Sequence, residues 1–318
     1  MAGENEASRR VKVRAIRDIA LDTREFELIA ADGRPLAPFS AGSHIDVQVP
    51  NGLTRQYSLC SNPADASCYR IAVKREHGGR GGSISLHDAC ELDMPLGIVG
   101  PRNHFPLNPE AHRHLFIAGG IGITPIYSMI QTVAAQALPW ALHYCARSVA
   151  HAAYFEAICA LDPARVTPHF SEEPILDVAA LLHQPQEGTH IYCCGPQGLM
   201  NAVQLATLHW APEQVHFEWF AAPQTQSAPN EAFEVHLARS GRSFLVPAQQ
   251  SILDVLRQEG IPVNCACEEG VCGTCETVVL EGHPQHRDAL LSAQERVEGR
   301  TMMICVSRAQ TPRLVLDL

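Results

Sequence analysis

A group of cysteines near the C-terminus is the feature that most constrains the fold of this chain. The stretch from Asn264 to Leu280 contains four of the 12 cysteines, and another follows after 29 further residues beyond the last of them. Gly270 and Gly273 let backbone amides approach sulfur atoms in this stretch. The spacing C-x4-C-x2-C with a distant fourth cysteine is typical of a plant-type [2Fe–2S] cluster, which needs four thiolates from one tight loop and one remote strand. The predicted ligands are Cys267, Cys272, Cys275 and Cys305.

Two other interpretations of these cysteines are a zinc ribbon and a set of disulfides. Zinc sites usually pair one C-x2-C with a second, and Cys305 has no cysteine near it in the sequence. Cys265 is an alternative first ligand, but only Cys267 keeps the four-residue gap before the next cysteine. We therefore expect Cys265 to be a free thiol.

Length and composition describe a folded chain of two ordinary domains or three small ones, with 318 residues, 46% hydrophobic and 18% charged. The sequence has no continuous apolar run of 18 residues or more, and its first ten residues lack the apolar core of a signal peptide. The remaining cysteines show no disulfide framework, which favours the cytoplasm. A net charge of −10 argues against a nucleic-acid partner.

Short alternating runs from Val11 to about Leu107, separated by glycine and proline, predict a small antiparallel barrel. Within it, Arg55-Gln-Tyr-Ser-Leu59 offers a cation, an aromatic ring and a hydroxyl. Gly78-Gly-Arg-Gly-Gly-Ser83 offers clustered backbone amides, a guanidinium and a hydroxyl suited to a phosphate. Taken singly, either segment is equally explained as a surface ion pair or a plain turn.

From about Leu115 the pattern alternates between strand and helix, which predicts a parallel sheet with ligands at the carboxyl ends of its strands. A glycine-rich turn, Gly119-Gly-Ile-Gly-Ile-Thr-Pro125, separates the first strand from its helix, with Thr124 as predicted N-cap and Pro125 as the first helical residue. A second turn at Gly195-Pro196 follows a later strand. The match to G-x-G-x-x-G is incomplete, so the turn alone does not decide for a nucleotide.

The last part of the chain begins with a segment rich in proline and glutamine, Ala221 to Glu231, which reads as a linker. Beyond it, the pattern predicts a hairpin, a helix from Ile252 to Glu259 capped by Ser251, the cysteine loop, and a strand Met302 to Val306 that delivers Cys305. The pattern divides the chain into an antiparallel barrel (1–107), an α/β domain with a parallel sheet (108–222), a linker (223–231) and a C-terminal domain that carries the cysteine loop (232–318).

Along nearly its whole length the chain resembles the phthalate dioxygenase reductase family, which includes vanillate demethylase reductases. Three motif sets carry the resemblance: Arg-x-Tyr-Ser, Gly-Arg-Gly-Gly-Ser, and Gly-Pro-Arg-Asn-x-Phe-Pro-Leu, present here as Gly100 to Leu107. The resemblance implies that the barrel (1–107) binds FMN, with FAD as the alternative used in the wider superfamily. It also implies that the α/β domain (108–222) binds the nicotinamide nucleotide and that residues 232–318 form a β-grasp ferredoxin-like domain. It implies that Tyr57 packs on the flavin ring and that Ser58 hydrogen-bonds near flavin N5. The residues implied for the flavin phosphate are Arg55, Gly81, Gly82 and Ser83.

For the nicotinamide nucleotide, the resemblance implies a site on the two glycine turns, with Cys194 near the path of the hydride and Phe220 where the chain returns to the flavin. Glu172 and Glu173 would repel a ribose 2′-phosphate, so NADH is preferred over NADPH. The other residues implied for nucleotide binding are Gly120, Gly122, Thr124, Arg147, Ser148, Gly195 and Pro196.

The resemblance implies an NADH-dependent reductase that passes electrons singly through FMN and a [2Fe–2S] cluster to a Rieske-type oxygenase, such as an aromatic dioxygenase or O-demethylase. A cytochrome P450 or another one-electron acceptor is the alternative partner. The chain is not itself a Rieske oxygenase, because it contains no Cys-x-His. A non-enzymatic redox sensor or ferredoxin-like electron carrier would have no use for the barrel and the α/β domain that precede the cysteine loop. The glutamates beside the ligands, Glu268, Glu269 and Glu276, are either docking charges or solvated loop residues.

Overall fold

The computed structural model describes residues 8–171, 176–221 and 230–318. It divides into two compact units, Met1–Glu218 and Trp219–Leu318. The finer division at residues 107 and 108 stays a prediction, and most of the predicted linker lies outside the described residues. Within the described ranges, no helix has the length and apolar character needed to cross a membrane.

An antiparallel sheet opens the first unit and confirms the predicted barrel. Its strands run in the order β4-β3-β6-β1-β2-β5. A bridge between Leu59, just after β4, and Ile71 of β5 links the two edges of the sheet. Alternating side chains such as Val11, Val13 and Ile45 fill the interior. The elements are β1 (Arg9–Ala20), β2 (Thr23–Ala30), β3 (Ser43–Gln48), β4 (Thr54–Ser58), β5 (Tyr69–Lys74), α1 (Gly82–Ala89) and β6 (Pro95–Asn103).

A parallel sheet follows in the same unit, as predicted, with strand order β11-β10-β7-β8-β9. Its order reverses beside the first strand, so the carboxyl ends of β7 and β10 flank the crevice where such sheets bind ligands. The elements are β7 (Arg113–Gly119), α2 (Ile123–Ala135), β8 (Trp140–Ala146), α3 (Phe155–Cys159), β9 (Val166–Phe170), α4 (Val178–Leu182), β10 (Thr189–Cys194), α5 (Gln197–Ala206) and β11 (Val215–Glu218).

The second unit is built on a mixed sheet with strand order β13-β12-β18-β14-β16, in which β12 and β18 are parallel. Helix α6 packs its buried residues Ile252, Leu253 and Leu256 into the core of this unit. As predicted, Ser251 caps the helix, and it does so in a capping box with Asp254. The elements are β12 (Phe233–Leu237), β13 (Ser243–Val246), α6 (Ile252–Gln258), β14 (Glu276–Glu281), β15 (Pro284–Gln285), α7 (Ala293–Glu298), β16 (Thr301–Met303), β17 (Arg308–Ala309) and β18 (Arg313–Leu316).

Two local predictions are wrong. Strand β16 ends at Met303, so Cys305 lies in the turn after the strand and not within it. Thr124 is not an N-cap, because a 3-10 turn over Gly120–Gly122 runs directly into helix α2 at Ile123. The Thr124 hydroxyl instead donates to the carbonyl of Ile121 at 3.0 Å, inside the first helical turn.

Candidate functional site

The first predicted binding segment lies at strand β4 and the start of helix α1. Arg55 lies against the helix start, since a Cβ atom on Gly82 would be 2.6 Å from its Cγ atom. Gly81, with φ of 82°, begins the helix without strain. Among the described residues, no side chain hydrogen-bonds to the N–H groups at the start of this helix, and its first turn contains no acidic residue. Its first N–H groups and the Arg55 guanidinium therefore fit an anion such as the flavin phosphate.

Tyr57 and Ser83 support this segment in different ways. The Tyr57 ring packs against the barrel core, and burial raises the pKa of its phenol, so the ring stays neutral. The Ser83 hydroxyl accepts a hydrogen bond of 3.1 Å from the N–H of Glu76, which ties the glycine-rich loop to the end of β5. Since that hydroxyl accepts from the backbone, its own proton stays available to an anion.

Ser58 and Cys194, the two predicted catalytic residues, are linked through Glu218. The Ser58 hydroxyl at the end of β4 donates to the Glu218 carboxyl at 3.3 Å. Glu218 ends β11 and is the register partner of Cys194 at the end of β10. Burial raises the pKa of the Glu218 carboxyl to about 8 and, with that carboxyl beside it, raises the pKa of the fully buried Cys194 thiol. The barrel and the parallel sheet thus meet at a cluster of neutral, polar side chains.

The two glycine turns pack directly on each other. A Cβ atom on Gly122 would lie 2.3 Å from the carbonyl oxygen of Cys194, and one on Gly119 would lie 2.4 Å from Cδ of Pro196. A Cβ atom on Gly195 would lie 3.0 Å from the Cα atom of Gly119. These separations leave no room for side chains, so backbone amides of both turns face the crevice at the carboxyl ends of β7 and β10.

A cavity of about 370 Å³ lies at the carboxyl ends of β7, β8 and β9. Of the predicted nucleotide residues, Gly120, Arg147 and Pro196 line it. No acidic residue of the described chain lines it, whereas several basic side chains do, which suits the phosphates of a nucleotide. The basic residues are Lys74, Arg147, His151 and His169.

Other predicted residues lie near this cavity or outside it. The Ser148 hydroxyl is 2.9 Å from Nδ1 of the cavity residue His151 and so positions that ring. Phe220 belongs to the second unit, and its role at the flavin stays a prediction. Glu172 and Glu173, on which the preference for NADH depends, lie outside the described residues.

The four predicted cluster ligands form two pairs of thiols. The Sγ atoms of Cys275 and Cys305 are 3.1 Å apart, and the thiols of Cys267 and Cys272 hydrogen-bond with each other. All four are buried. Two adjacent thiol pairs are the donor set that a two-iron cluster needs, one pair for each iron. The described residues contain no group of three or more His, Cys, Asp or Glu side chains placed to hold a metal ion, so the ligand set stays a prediction.

The backbone around the predicted ligands allows a tight loop and directs an amide at one of the sulfur atoms. Gly270 has φ of 68°, and a Cβ atom there would lie 2.6 Å from Cγ2 of Val306, so only glycine fits. Gly273 also has a positive φ, of 76°. The N–H of Glu269 donates to Sγ of Cys267 at 3.3 Å. Amide donors aimed at sulfur stabilise thiolate ligands and tune the potential of a cluster.

Two residues beside the ligands, Cys265 and Glu268, have interaction partners of their own. Cys265 hydrogen-bonds through its thiol with Cys275 and Cys305, so it lies among the ligands. Glu268 forms an ion pair of 2.8 Å with Arg257 of helix α6. Its charge is therefore already paired within this unit, which fits neither of the two predicted roles, a solvated loop residue or a docking charge. An experiment on the ligand set must therefore establish whether Cys265 or Cys267 binds the cluster.

The chain is similar to two protein families and to several known proteins. Residues 235–310 match the family described as a 2Fe-2S iron-sulfur cluster binding domain, and residues 101–212 match the N-terminal domain of dimethylamine monooxygenase subunit DmmA-like proteins. The chain is 46% identical to phenoxybenzoate dioxygenase subunit beta of Ectopseudomonas oleovorans, over 97% of both chains. It is 43% identical to the vanillate O-demethylase oxidoreductase of Pseudomonas sp. strain HR199, over 97% of this chain and 99% of that one.

Among solved structures, phthalate dioxygenase reductase superimposes with a TM-score of 0.78 at 41% identity over 98% of both chains. The chain belongs to the phthalate dioxygenase reductase and vanillate O-demethylase reductase family. An intact type IV self-sufficient cytochrome P450 monooxygenase also contains a similar region, with a TM-score of 0.83 at 39% identity, over 98% of this chain and 41% of that one.

Membership of this reductase family confirms four predictions from the sequence: the enzyme class, the kind of electron acceptor, the C-terminal domain and the types of cofactor. The protein is an NAD(P)H-dependent oxidoreductase of the oxygenase-reductase class, and it transfers electrons to an oxygenase. Its C-terminal unit is an iron–sulfur domain, and the protein is a flavoprotein that uses a pyridine nucleotide and a [2Fe–2S] cluster. The individual residues assigned to these cofactors stay predictions.

Several residues of this reductase's candidate sites were not predicted from the sequence. Lys74 comes from the barrel, and His169 is held in the cavity by a contact of 3.0 Å between its Nε2 atom and Nδ1 of His143. Glu218 lies two residues before Phe220, and nothing in its local sequence indicates that its carboxyl reaches Ser58. These contacts join segments far apart in the chain, so no local pattern records them.

We expect the substitution Glu218→Gln to change the pH dependence of stability, measured on the flavin-free reductase. The carboxyl has a pKa of about 8 in the folded protein, against an ordinary value of 4.5. Between these values the folded form keeps a proton that the unfolded chain releases, so wild type loses stability as the pH rises. The variant lacks this loss. The midpoint of thermal unfolding of wild type, followed by circular dichroism, should therefore fall relative to Glu218→Gln from about pH 5 to about pH 8.

Glu213→Gln is the matched control for this prediction. Glu213 lies on the 3-10 turn just before β11 and is exposed. Its variant should follow the wild-type curve across the same pH range. If the curves of wild type and Glu218→Gln stay parallel, the Glu218 carboxyl titrates normally and the prediction is wrong.

Proposed function

We propose that this reductase oxidises NADH and delivers the electrons one at a time to a Rieske-type non-haem iron oxygenase. The observation that carries the proposal is the 3.3 Å contact between Ser58 and Glu218. It brings the end of β4, where the flavin site is predicted, against the crevice of the parallel sheet, where the nucleotide site is predicted. FMN, when bound, accepts a hydride and releases electrons singly, which a one-electron cluster requires.

The residues of the chain act by binding and positioning. Arg55 and the start of α1 hold the flavin phosphate, and Tyr57 and Ser58 fix the orientation of the ring. The turns at Gly119 and Gly195 hold the nicotinamide half of the nucleotide close to Ser58, and Arg147 with the basic side chains of the cavity binds its phosphates. Such positioning supplies the close approach that hydride transfer needs. The thiols of Cys267, Cys272, Cys275 and Cys305 hold the cluster.

NADH as donor is supported by the carboxylates that follow β9 in the sequence, Glu172 and Glu173, which would repel a 2′-phosphate. An oxygenase partner is supported by the relatives, which are named as parts of dioxygenase and demethylase systems. A net charge of −10 argues against a nucleic-acid partner, and we place the reductase in the cytoplasm, away from a membrane.

A cytochrome P450 is the second candidate partner, because a similar region forms part of a self-sufficient P450 chain. Assays with oxygenases and with P450s separate the two, since coupled substrate turnover would occur only with the partner that accepts the electrons.

The visible spectrum before and after addition of a nucleotide tests the proposal. The purified reductase should show flavin and iron–sulfur absorption, and NADH should bleach both at lower concentration than NADPH does. Absence of flavin bands, or flavin bands that neither nucleotide bleaches, would contradict the proposed function. Equal bleaching by NADPH would contradict only the choice of NADH.

A further inference from the structure

We propose that His44 is a further flavin-contacting residue, whose imidazole supplies one hydrogen-bond donor and one acceptor to the polar edge of the flavin ring beside Ser58. The inference rests on the proposed flavin site and extends it to a residue outside the motifs that the sequence indicated. His44 lies in strand β3, directly opposite Ser58 in strand β4.

The first observation is that the His44 ring is buried but has no polar partner. Only 3% of the residue is exposed, and neither Nδ1 nor Nε2 forms a hydrogen bond with any described residue. Buried polar atoms are nearly always paired, because leaving them unpaired forfeits their hydration. An unpaired imidazole therefore needs an explanation, and a bound group is one.

The second observation is the position of His44 in the sheet. In strand β3 it pairs directly with Ser58 of β4 on one side and with Arg102 of β6 on the other. Side chains of paired residues on neighbouring strands project from the same face, with Cβ atoms about 4.5–5.5 Å apart. His44 thus lies beside the hydroxyl that contacts Glu218 and is predicted to contact the flavin.

The third observation is that His44 is neutral. Burial, together with the neighbouring His104 ring and the Arg102 guanidinium, lowers the pKa of the ring to about 3. The ring of His104 meets it edge to face, with centroids 5.1 Å apart. The nearby carboxylate of Asp46 is engaged by Arg102 and by Gln56, so it does not serve His44. The ring therefore offers one N–H donor and one bare nitrogen acceptor.

This pair of groups matches one chemical class of ligand. The flavin ring presents acceptors at N5 and the two pyrimidine carbonyls and a donor at N3–H. A neutral imidazole complements such an edge, whereas a phosphate would call for a cation. The ring edge, not the flavin phosphate, is accordingly the group we assign to His44.

The test compares His44→Leu with His44→Asn in the flavin-free protein. FMN affinity is measured by quenching of flavin fluorescence, and stability by thermal unfolding without FMN. His44→Leu should bind FMN roughly tenfold more weakly, the usual effect of losing about one net hydrogen bond. His44→Asn, which keeps a donor and an acceptor, should stay within about threefold of wild type. Without FMN, His44→Leu should be as stable as wild type or more so, since the unpaired nitrogens are gone.

His114→Leu is the matched control. His114 is also a buried histidine of the first unit, with 1% exposure, but it lies near the start of β7, and its Nδ1 atom is 3.4 Å from the carbonyl of Pro139. This variant should be less stable than wild type and should bind FMN with unchanged affinity.

The outcomes separate the two proposals. If wild type binds FMN and His44→Leu binds it equally well, the inference on His44 is overturned and the flavin site stands. If His44→Leu loses stability without FMN in the same way as the control, its role is structural and the inference is overturned as well. If wild type itself binds no flavin, the proposed function fails before the question about His44 arises.

Discussion

The variant Cys267→Ser is expected to contain no [2Fe–2S] cluster, whereas Cys265→Ser keeps it. Only Cys267 preserves the four-residue gap to Cys272 that this kind of cluster requires, and a serine hydroxyl is a poor substitute for a thiolate toward iron. Iron and sulfide content and visible circular dichroism measure the cluster directly. Reduction of cytochrome c by NADH should fall to background in Cys267→Ser. Reduction of ferricyanide should continue, because residues 1–218 are unchanged.

Cys265→Ser is a demanding control, because the Cys265 thiol hydrogen-bonds with two of the predicted ligands, Cys275 and Cys305. If Cys265→Ser loses its iron and Cys267→Ser keeps it, the ligand set has a six-residue gap and the prediction is wrong. Loss of iron in both variants would contradict the assignment of Cys265 as a free thiol.

The second large effect is expected from Gly122→Ala. The added Cβ atom would lie 2.3 Å from the carbonyl oxygen of Cys194 and 2.8 Å from the amide nitrogen of Gly195, and both are backbone atoms. The two turns must then move apart, which displaces the nicotinamide site relative to Ser58. A displacement of about 1 Å in such a site can cost about a hundredfold in rate. We expect a loss of this size in the rate of flavin reduction by NADH, measured by stopped-flow absorbance, with FMN content unchanged.

Gly198→Ala provides the comparison. Gly198 lies in helix α5, close in sequence to the second glycine turn, and nothing lies within 4 Å of a Cβ atom placed there. Alanine also favours a helix, so this variant should be as stable as wild type and fully active. A Gly122→Ala protein that reduces its flavin at the wild-type rate would show that the close packing of the turns does not position the nucleotide.

The fold could be predicted from the sequence where local patterns decide the structure. Cysteine spacing is such a pattern, because a loop that must wrap a cluster fixes the number of residues between ligands. Alternating apolar residues in the barrel and the repeated strand and helix of the parallel sheet are others. The capping of α6 by Ser251 was likewise visible in the sequence, since cap and helix are adjacent.

The features missed from the sequence depend on contacts between distant segments or on competing local geometry. Thr124 is a residue type that often caps helices, but the 3-10 turn before it starts the helix two residues earlier than predicted, at Ile123. The reach of Glu218 to Ser58 spans 160 residues of chain. His44 has no motif at all, and only strand register places it beside Ser58. Register and turn packing are set by the assembled fold, so single-sequence reasoning does not reach them.

The mutual contact of the glycine turns also limits how this protein can evolve. A side chain on Gly119 would strike the turn at Gly195, and a side chain on Gly195 would strike Gly119 in return. In most tight contacts, a larger residue at one position is compensated by a smaller one opposite. Here neither partner has a side chain to shorten, so no second-site substitution at the other glycine can rescue the first. The pair is therefore expected to stay fixed as glycine even where the surrounding sequence drifts.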